Sequence, residues 1–201
     1  MPADLPQLTM EHAILVVIAT LAAVAIGVPS GIAITRRPRL EKWALGFASV
    51  AQTIPSLALL GFLLAVPVIG GIGQRPALVA LVLYALLPIV RNTVTGIAGV
   101  DPAVRESAVA MGMTGGQLLR IVELPLAART IMAGVRIATV TTVGTATIAA
   151  AIGGGGLGVL IFRGLASVDT REILAGAIPA ALMAILADGG LGWVEKRLSR
   201  S

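Results

Sequence analysis

The sequence predicts an all-α integral membrane protein of about five transmembrane helices, and three observations carry the prediction. Hydrophobic residues make up 57% of the 201 and charged residues only 12%, whereas a soluble domain is about half apolar and about a quarter charged. Five apolar stretches, near 12–34, 43–69, 77–98, 130–152 and 173–193, approach or exceed the roughly 20 residues that a helix needs to cross a bilayer. The hydrophobicity comes in uninterrupted runs, not in the ten-residue alternations of a membrane barrel. Glycine (24) and proline (11) are plentiful, and membrane helices tolerate both. Residues 1–201 read as a single transmembrane domain.

Several function classes drop out. There is no cysteine, which excludes disulfides, thiolate metal sites and cysteine nucleophiles. The net charge of +5 does not point to nucleic acid, because the basic residues are not gathered on one polar segment. The opening "MPADLPQLTMEH" lacks the basic start of a secretory peptide and does not read as a cleaved signal. No Asp, Glu, Lys, Arg or His lies near the middle of a predicted span. Ion-coupled carriers place ionisable groups there, so a carrier is disfavoured.

In chain order, the first span carries Gly27 and Gly31, a small-residue spacing that suits close helix packing. His12, the sole histidine, sits at its outer edge and reads as interfacial. In the second stretch "QTIPSLALL" places Pro55 after polar Gln52 and Thr53, and the proline should bend or break the helix. The third span contains Tyr84. Gln52, Thr53, Pro55 and Tyr84 are candidate pathway or gate positions. Trp43 and Trp193 are expected at membrane interfaces.

Counting Lys and Arg orients the spans. One side holds Arg36, Arg37, Arg39, Lys42, Arg91, Arg105, Arg120, Arg129, Arg136, Lys196, Arg197 and Arg200; the other holds Arg75, Arg163 and Arg171. Twelve against three makes the first side cytoplasmic. The amino terminus is then outside, the carboxyl terminus inside, and the loop at about 99–129 faces the cytoplasm. Arg91, Arg136 and Asp188 fall near the cytoplasmic span ends, where snorkelling suffices.

That loop is the polar island of the chain. Asp101 suits an N-cap, Pro102 the first helical position, and Gly112 the left-handed residue that closes a helix. A helix of roughly 15 Å over about 102–111 results. Thr114 and Gln117 have capping-box spacing, and Pro125 is expected to end the second segment. Glu106, Arg105 and Arg120 project among Ala108, Ala110 and Met111, a mixture suited to docking in a groove of another protein. A solvated loop is the competing reading of the same residues.

The glycine run "AAAIGGGGLG" is no phosphate cradle, because no Gly-Lys-Ser/Thr follows and the two lysines, Lys42 and Lys196, lie elsewhere. Gly153, Gly154, Gly155 and Gly156 are expected to form either a non-helical crossing near an external gate or a flexible loop.

"ESAVAMG", nine residues, then "VELP" resembles the EAA motif of ABC importer permeases. Glu106, Ala108, Gly112, Leu124 and Pro125 match it, while Ser107 replaces an alanine and Val122 an isoleucine. "QTIPSLALLGFL", "YALLPIVRNTVTGIAGVDPAVRESA", "AAAIGGGGLGVLIFRGL" and "AGAIPAALMAILAD" extend the similarity to osmoprotectant permeases for glycine betaine, carnitine and choline. The resemblance implies a type I importer permease fold in a bacterial inner membrane. Glu106, Ser107, Ala108, Gly112, Leu124 and Pro125 would then couple to cytoplasmic ATP-binding subunits, with a second permease and an extracytoplasmic binding protein completing the assembly. ATP and magnesium would sit on the partner, leaving this chain without a cofactor. A permease for another small polar solute, a secondary carrier or channel, and a scaffold subunit are the alternatives.

Overall fold

Helix α1 (Leu5–Thr35) carries almost no charge along its length and continues through Pro29. The computed structural model to which it belongs describes residues 3–37, 53–66 and 71–198, together with Gly46 and Ile69. Helix α2 (Ser56–Leu64) follows Pro55, whose ψ of 136° is extended, so the proline breaks the second stretch rather than bending it. Gln52, Trp43 and the rest of residues 43–52 apart from Gly46 lie outside the described residues. Helix α3 (Gln74–Ala98) comes next, and the polar island begins with α4 (Pro102–Ala110).

Helix α5 runs without a break over Gly115–Ile152, 38 residues. It therefore fuses the second half of the island to the fourth span, and Pro125 does not end the segment as the sequence suggested. Residues Leu118–Glu123 adopt a π turn immediately before the proline. Leu124 donates to the Leu119 carbonyl, five residues back, and the widened turn relieves the clash that a proline ring makes with a regular helix. Helix α6 (Gly158–Ser167) is short, and α7 (Thr170–Leu198) crosses back, capped by Asp169, whose Oδ1 accepts from Arg171 N at 2.9 Å. Among the described residues four helices, α1, α3, α5 and α7, are long and apolar enough to cross a membrane.

The core lies where α1, α3 and α5 meet, with Leu15, Val16, Ala19, Leu81, Val143 and Ala146 in one cluster and Ala23, Ala85, Ile89 and Ala138 in the next. Small residues set the spacing. A Cβ on Gly27 would stand 2.9 Å from Ile89 Cγ2, and one on Gly31 would stand 2.7 Å from Thr93 Cβ. The Gly27/Gly31 pair is thus the seam along which α1 approaches α3. Gly134 does the same for α5 against Asn92 and Pro88 of α3. The outer face of α7 stays apolar and exposed, with Leu182, Ile185 and Leu186 all more than half accessible. In lipid such a face carries no penalty.

Charges divide between the two ends. At the basic end, Arg136 of α5 grips Asp188 of α7 through two bonds of 2.6 and 2.7 Å and reaches Glu195 at 3.3 Å. Arg136 and Asp188 are therefore a fork-to-carboxylate clamp between helices, not independent snorkelling groups. Gly192 keeps the space open, since a Cβ there would meet the guanidinium at 3.2 Å. Arg197 lies over the half-exposed Trp193 ring at 4.1 Å. At the other end Arg163 bridges Asp4 at 3.1 Å and Glu172 at 3.2 Å. These three line an open cavity of about 790 Å³ with Asp169 and Arg171.

Candidate functional site

The polar island folds as its caps demand. Asp101 Oδ1 accepts from Ala103 N at 2.9 Å, and Pro102 occupies the first turn where its missing N–H costs nothing. At the far end Gly112 N donates to the Val109 carbonyl (2.9 Å) and Met113 N to the Ala108 carbonyl (3.2 Å). This Schellman pair needs a left-handed residue, and Gly112 has φ +83°. The next turn starts on a capping box, with Thr114 N donating to Gln117 Oε1 at 2.8 Å and Gln117 N to Thr114 Oγ1 at 3.4 Å.

Helix α4 touches the body along a narrow stripe. Ala108 is 2% exposed, so it packs inward and is not part of the outer surface that the sequence suggested. Arg105, expected to project, also turns inward. Glu106 and Ser107 remain exposed, the Ser107 hydroxyl donating back to the Ala103 carbonyl at 2.8 Å. Exposed Val104, Val109 and Met111 surround them. Leu124 is half-buried and Pro125 exposed. The outer surface of α4 is thus one acidic group amid apolar side chains, on a helix fixed at both ends.

Glu123, which sequence reasoning left unassigned, anchors the inner surface. It is 2% exposed. Arg36 Nη2, just past the end of α1, lies 2.6 Å from Oε2, and Arg105 Nε lies 3.1 Å from Oε1, out of line for a hydrogen bond there. Arg105 Nη2 donates in turn to the carbonyl of Ile97 in the last turn of α3. A glutamate flanked by Ile121, Val122 and Leu124 in "VELP" was the available signal; its partners are 87 and 18 positions away, beyond any local pattern.

The other candidate positions separate. Tyr84 donates to the Ile54 carbonyl at 2.8 Å, so its hydroxyl secures the break before Pro55. Thr53 precedes that break and is exposed. The glycine run turns the chain from α5 to α6, and Gly153, Gly155 and Gly156 all take φ between +74° and +80°. Backbones do crowd there: Gly73 N donates to the Ile152 carbonyl at 2.8 Å, and Gly156 N reaches Glu11 Oε2 at 3.4 Å. A Cβ on Gly154 would fall 2.7 Å from the Ala149 carbonyl. His12 is fully buried, with Nε2 at 3.1 Å from the Val143 carbonyl and its ring against Gly156. α1 begins two turns before it, which carries the ring inside the helix packing.

Among the described residues no group of His, Cys, Asp or Glu could hold a metal ion. What the geometry offers is a projecting helix, capped at both ends, on a body whose described residues include four membrane-length helices.

Comparison with known proteins agrees with that description. The chain is 48% identical over 190 residues to the carnitine transport permease protein OpuCD of Listeria monocytogenes serotype 1/2a (strain 10403S), covering 94% of this chain and 84% of that one. It is 49% identical over 190 residues to the glycine betaine/carnitine/choline transport system permease protein OpuCD of Bacillus subtilis (strain 168), covering 94% and 82%. With the osmoprotectant import permease protein OsmW of Salmonella typhimurium it shares 44% over 196 residues, covering 96% and 89%. In structure it resembles a chain of the inward-facing MetNI methionine ABC transporter, with a TM-score of 0.86 at 22% identity over 98% of this chain and 99% of that one. The family profile described as binding-protein-dependent transport system inner membrane component matches residues 23–200. The chain belongs to that family of multi-pass inner-membrane transport components.

Proposed function

We propose that this chain is the permease of an ATP-driven importer for glycine betaine, carnitine, choline or a related osmoprotectant, with α4 as its docking element for a cytoplasmic ATP-binding subunit. The observation that carries the reading is the outer surface of α4. Exposed Glu106 among Val104, Val109 and Met111 on a doubly capped helix suits a groove that accepts apolar side chains and offers donors to one carboxylate. The substrate class rests on the named relatives. ATP hydrolysis belongs to a separate subunit, and the basic end, bearing α4, faces the cytoplasm as the excess of arginine requires. The opposite end, with Arg163, Asp4, Glu172 and the adjoining cavity, then faces the extracytoplasmic binding protein. The outer apolar faces meet lipid and a second permease subunit. Closure of the ATP-binding subunits moves α4, and the movement switches the paired permeases between inward- and outward-facing states.

Glu106→Lys tests the docking role. Reversing an interfacial charge costs about 2–5 kcal/mol when a desolvated pair is broken. The variant should reach the membrane normally, because Glu106 is exposed and touches no span. It should lose the co-purifying ATP-binding subunit and with it glycine betaine uptake. Uptake at the parental rate would leave α4 a solvated loop, and uptake persisting after ATP depletion would return the chain to the secondary carriers.

A further inference from the structure

Helix α4 can transmit force to the membrane helices only through what ties it to them, and the structure concentrates that tie. Within α4 only Ala108 is buried and only Arg105 half-buried; Ala108 contributes a methyl group, Arg105 a fork of donors. That fork holds two different elements at once, the Ile97 carbonyl at the end of α3 and the Glu123 carboxylate in the π turn of α5. The same carboxylate holds Arg36 at the end of α1. One buried side chain thus joins the ends of three long helices to the projecting helix.

The π turn makes this possible. Leu118 and Glu123 are both buried though five residues apart, a separation that a regular helix rotates by about 140° and a π turn brings back toward one face. Ala127 and Gly134, buried on the same side, continue that face into the membrane. A carboxylate buried in this way is held by its cations or becomes costly. The side chains of its two arginines are about one-third to one-half exposed (31% for Arg105, 44% for Arg36) although Arg105 Nε itself is buried, which leaves them room to exchange partners when α4 moves.

We propose that Glu123 is a positioning residue for energy coupling: through Arg105 and Arg36 it converts displacement of α4 into displacement of the basic ends of α1, α3 and α5. The inference rests on the docking role of α4 and adds to it the route by which docking reaches the pathway. Glu123 does not touch the ATP-binding subunit or the substrate; it acts through the two arginines. Removing its charge therefore separates two properties that loss of docking would abolish together, association with the ATP-binding subunit and coupled transport.

The test uses the assembled transporter in proteoliposomes, with its ATP-binding subunit and its binding protein saturated with glycine betaine as the probe. Glu123→Gln preserves shape and removes the charge. The expected result is a fall of about tenfold or more in uptake and in binding-protein-stimulated ATP hydrolysis, with basal hydrolysis and the co-purifying subunit within about twofold of the parent. Arg105→Lys keeps a charge but cannot span the Ile97 carbonyl and Glu123 together, and should show the same split at about fivefold. Arg105→Lys combined with Glu123→Gln should be no worse than the poorer single variant, because the two act through one contact. Uptake within about twofold of the parent in Glu123→Gln and Arg105→Lys, or multiplicative losses in the double variant, would overturn the proposal. So would loss of the ATP-binding subunit in Glu123→Gln, which would make the residue a mere support for the shape of α4. If Glu123→Gln does not accumulate in the membrane, Arg105→Lys decides alone. Glu106→Lys in parallel keeps the two ideas apart: an inactive Glu106→Lys beside a fully coupled Glu123→Gln removes only the coupling route, whereas an active Glu106→Lys removes the docking role itself.

Discussion

Gly112→Val separates the geometry of the projecting helix from its chemistry. The native residue has φ +83°, and a Cβ built there meets nothing within 4 Å. Overpacking therefore contributes nothing, and the cost is conformational. A side chain in the left-handed region costs about 1–2 kcal/mol, with β-branched residues at the unfavourable end. If the chain escapes by leaving that region, it gives up the bonds from Gly112 N to the Val109 carbonyl and from Met113 N to the Ala108 carbonyl, each worth about 0.5–1.5 kcal/mol net. Either way the turn is weighted roughly five- to thirtyfold against its present form, since 1.4 kcal/mol is a factor of about ten. Gly112→Asn is the matched control, because asparagine enters the left-handed region readily. The assay is glycine betaine uptake normalised to membrane protein, with retention of the ATP-binding subunit measured in parallel. Valine should cut uptake by about tenfold while asparagine stays near the parent, both at parental membrane levels. Equal uptake by parent, asparagine and valine forms would show that the turn's geometry is not used, and the reasoning from caps to docking would fail.

Further outcomes follow from other parts of the molecule. Because the chain has no cysteine, Ile72→Cys, at an 85% exposed position, should react with an impermeant reagent in intact cells, whereas Met111→Cys, at a 72% exposed position, should react only after permeabilisation; the reverse pattern would invert the topology. Gly134→Ala should lower the detergent melting temperature by overpacking worth about 1–3 kcal/mol, since its Cβ would lie 2.5 Å from Asn92 Cβ. Gly144→Ala, with nothing within 4 Å, should be neutral or slightly stabilising by helix propensity, and equal melting of the two would discredit the packing account. The purified chain alone should not retain radiolabelled ATP, having no phosphate loop; stoichiometric retention would contradict a separate energy-supplying subunit.

The two ends of legibility are well separated in this protein. Local rules placed α4 within a residue of its observed bounds, because Asp101, Pro102 and Gly112 each satisfy a backbone group within a few positions of themselves. The capping box at Thr114 and Gln117 was readable for the same reason. The first, third and fifth spans were also legible, and so was an interruption at Pro55, which the structure resolves as a break rather than a bend. Pro125 misled, because a proline ends a regular helix by default and the compensating π turn has no simple sequence mark. The burial of His12 was not legible, because distance from the predicted membrane edge says nothing about whether α5 covers it with the Val143 carbonyl.

Composition and short-range chemistry determined by themselves that the chain spans a membrane, which end is basic, and that a capped helix projects from that end. Those properties depend on desolvation of apolar runs and on hydrogen bonds between near neighbours, both of which are written in order along the chain. The pairing of Arg36 and Arg105 with Glu123, the Arg136–Asp188 clamp and the inward turn of Ala108 were decided by tertiary structure alone. A buried charge selects whichever partner the packing brings within about 3 Å, and packing at Gly27, Gly31 and Gly134 sets which helices come that close.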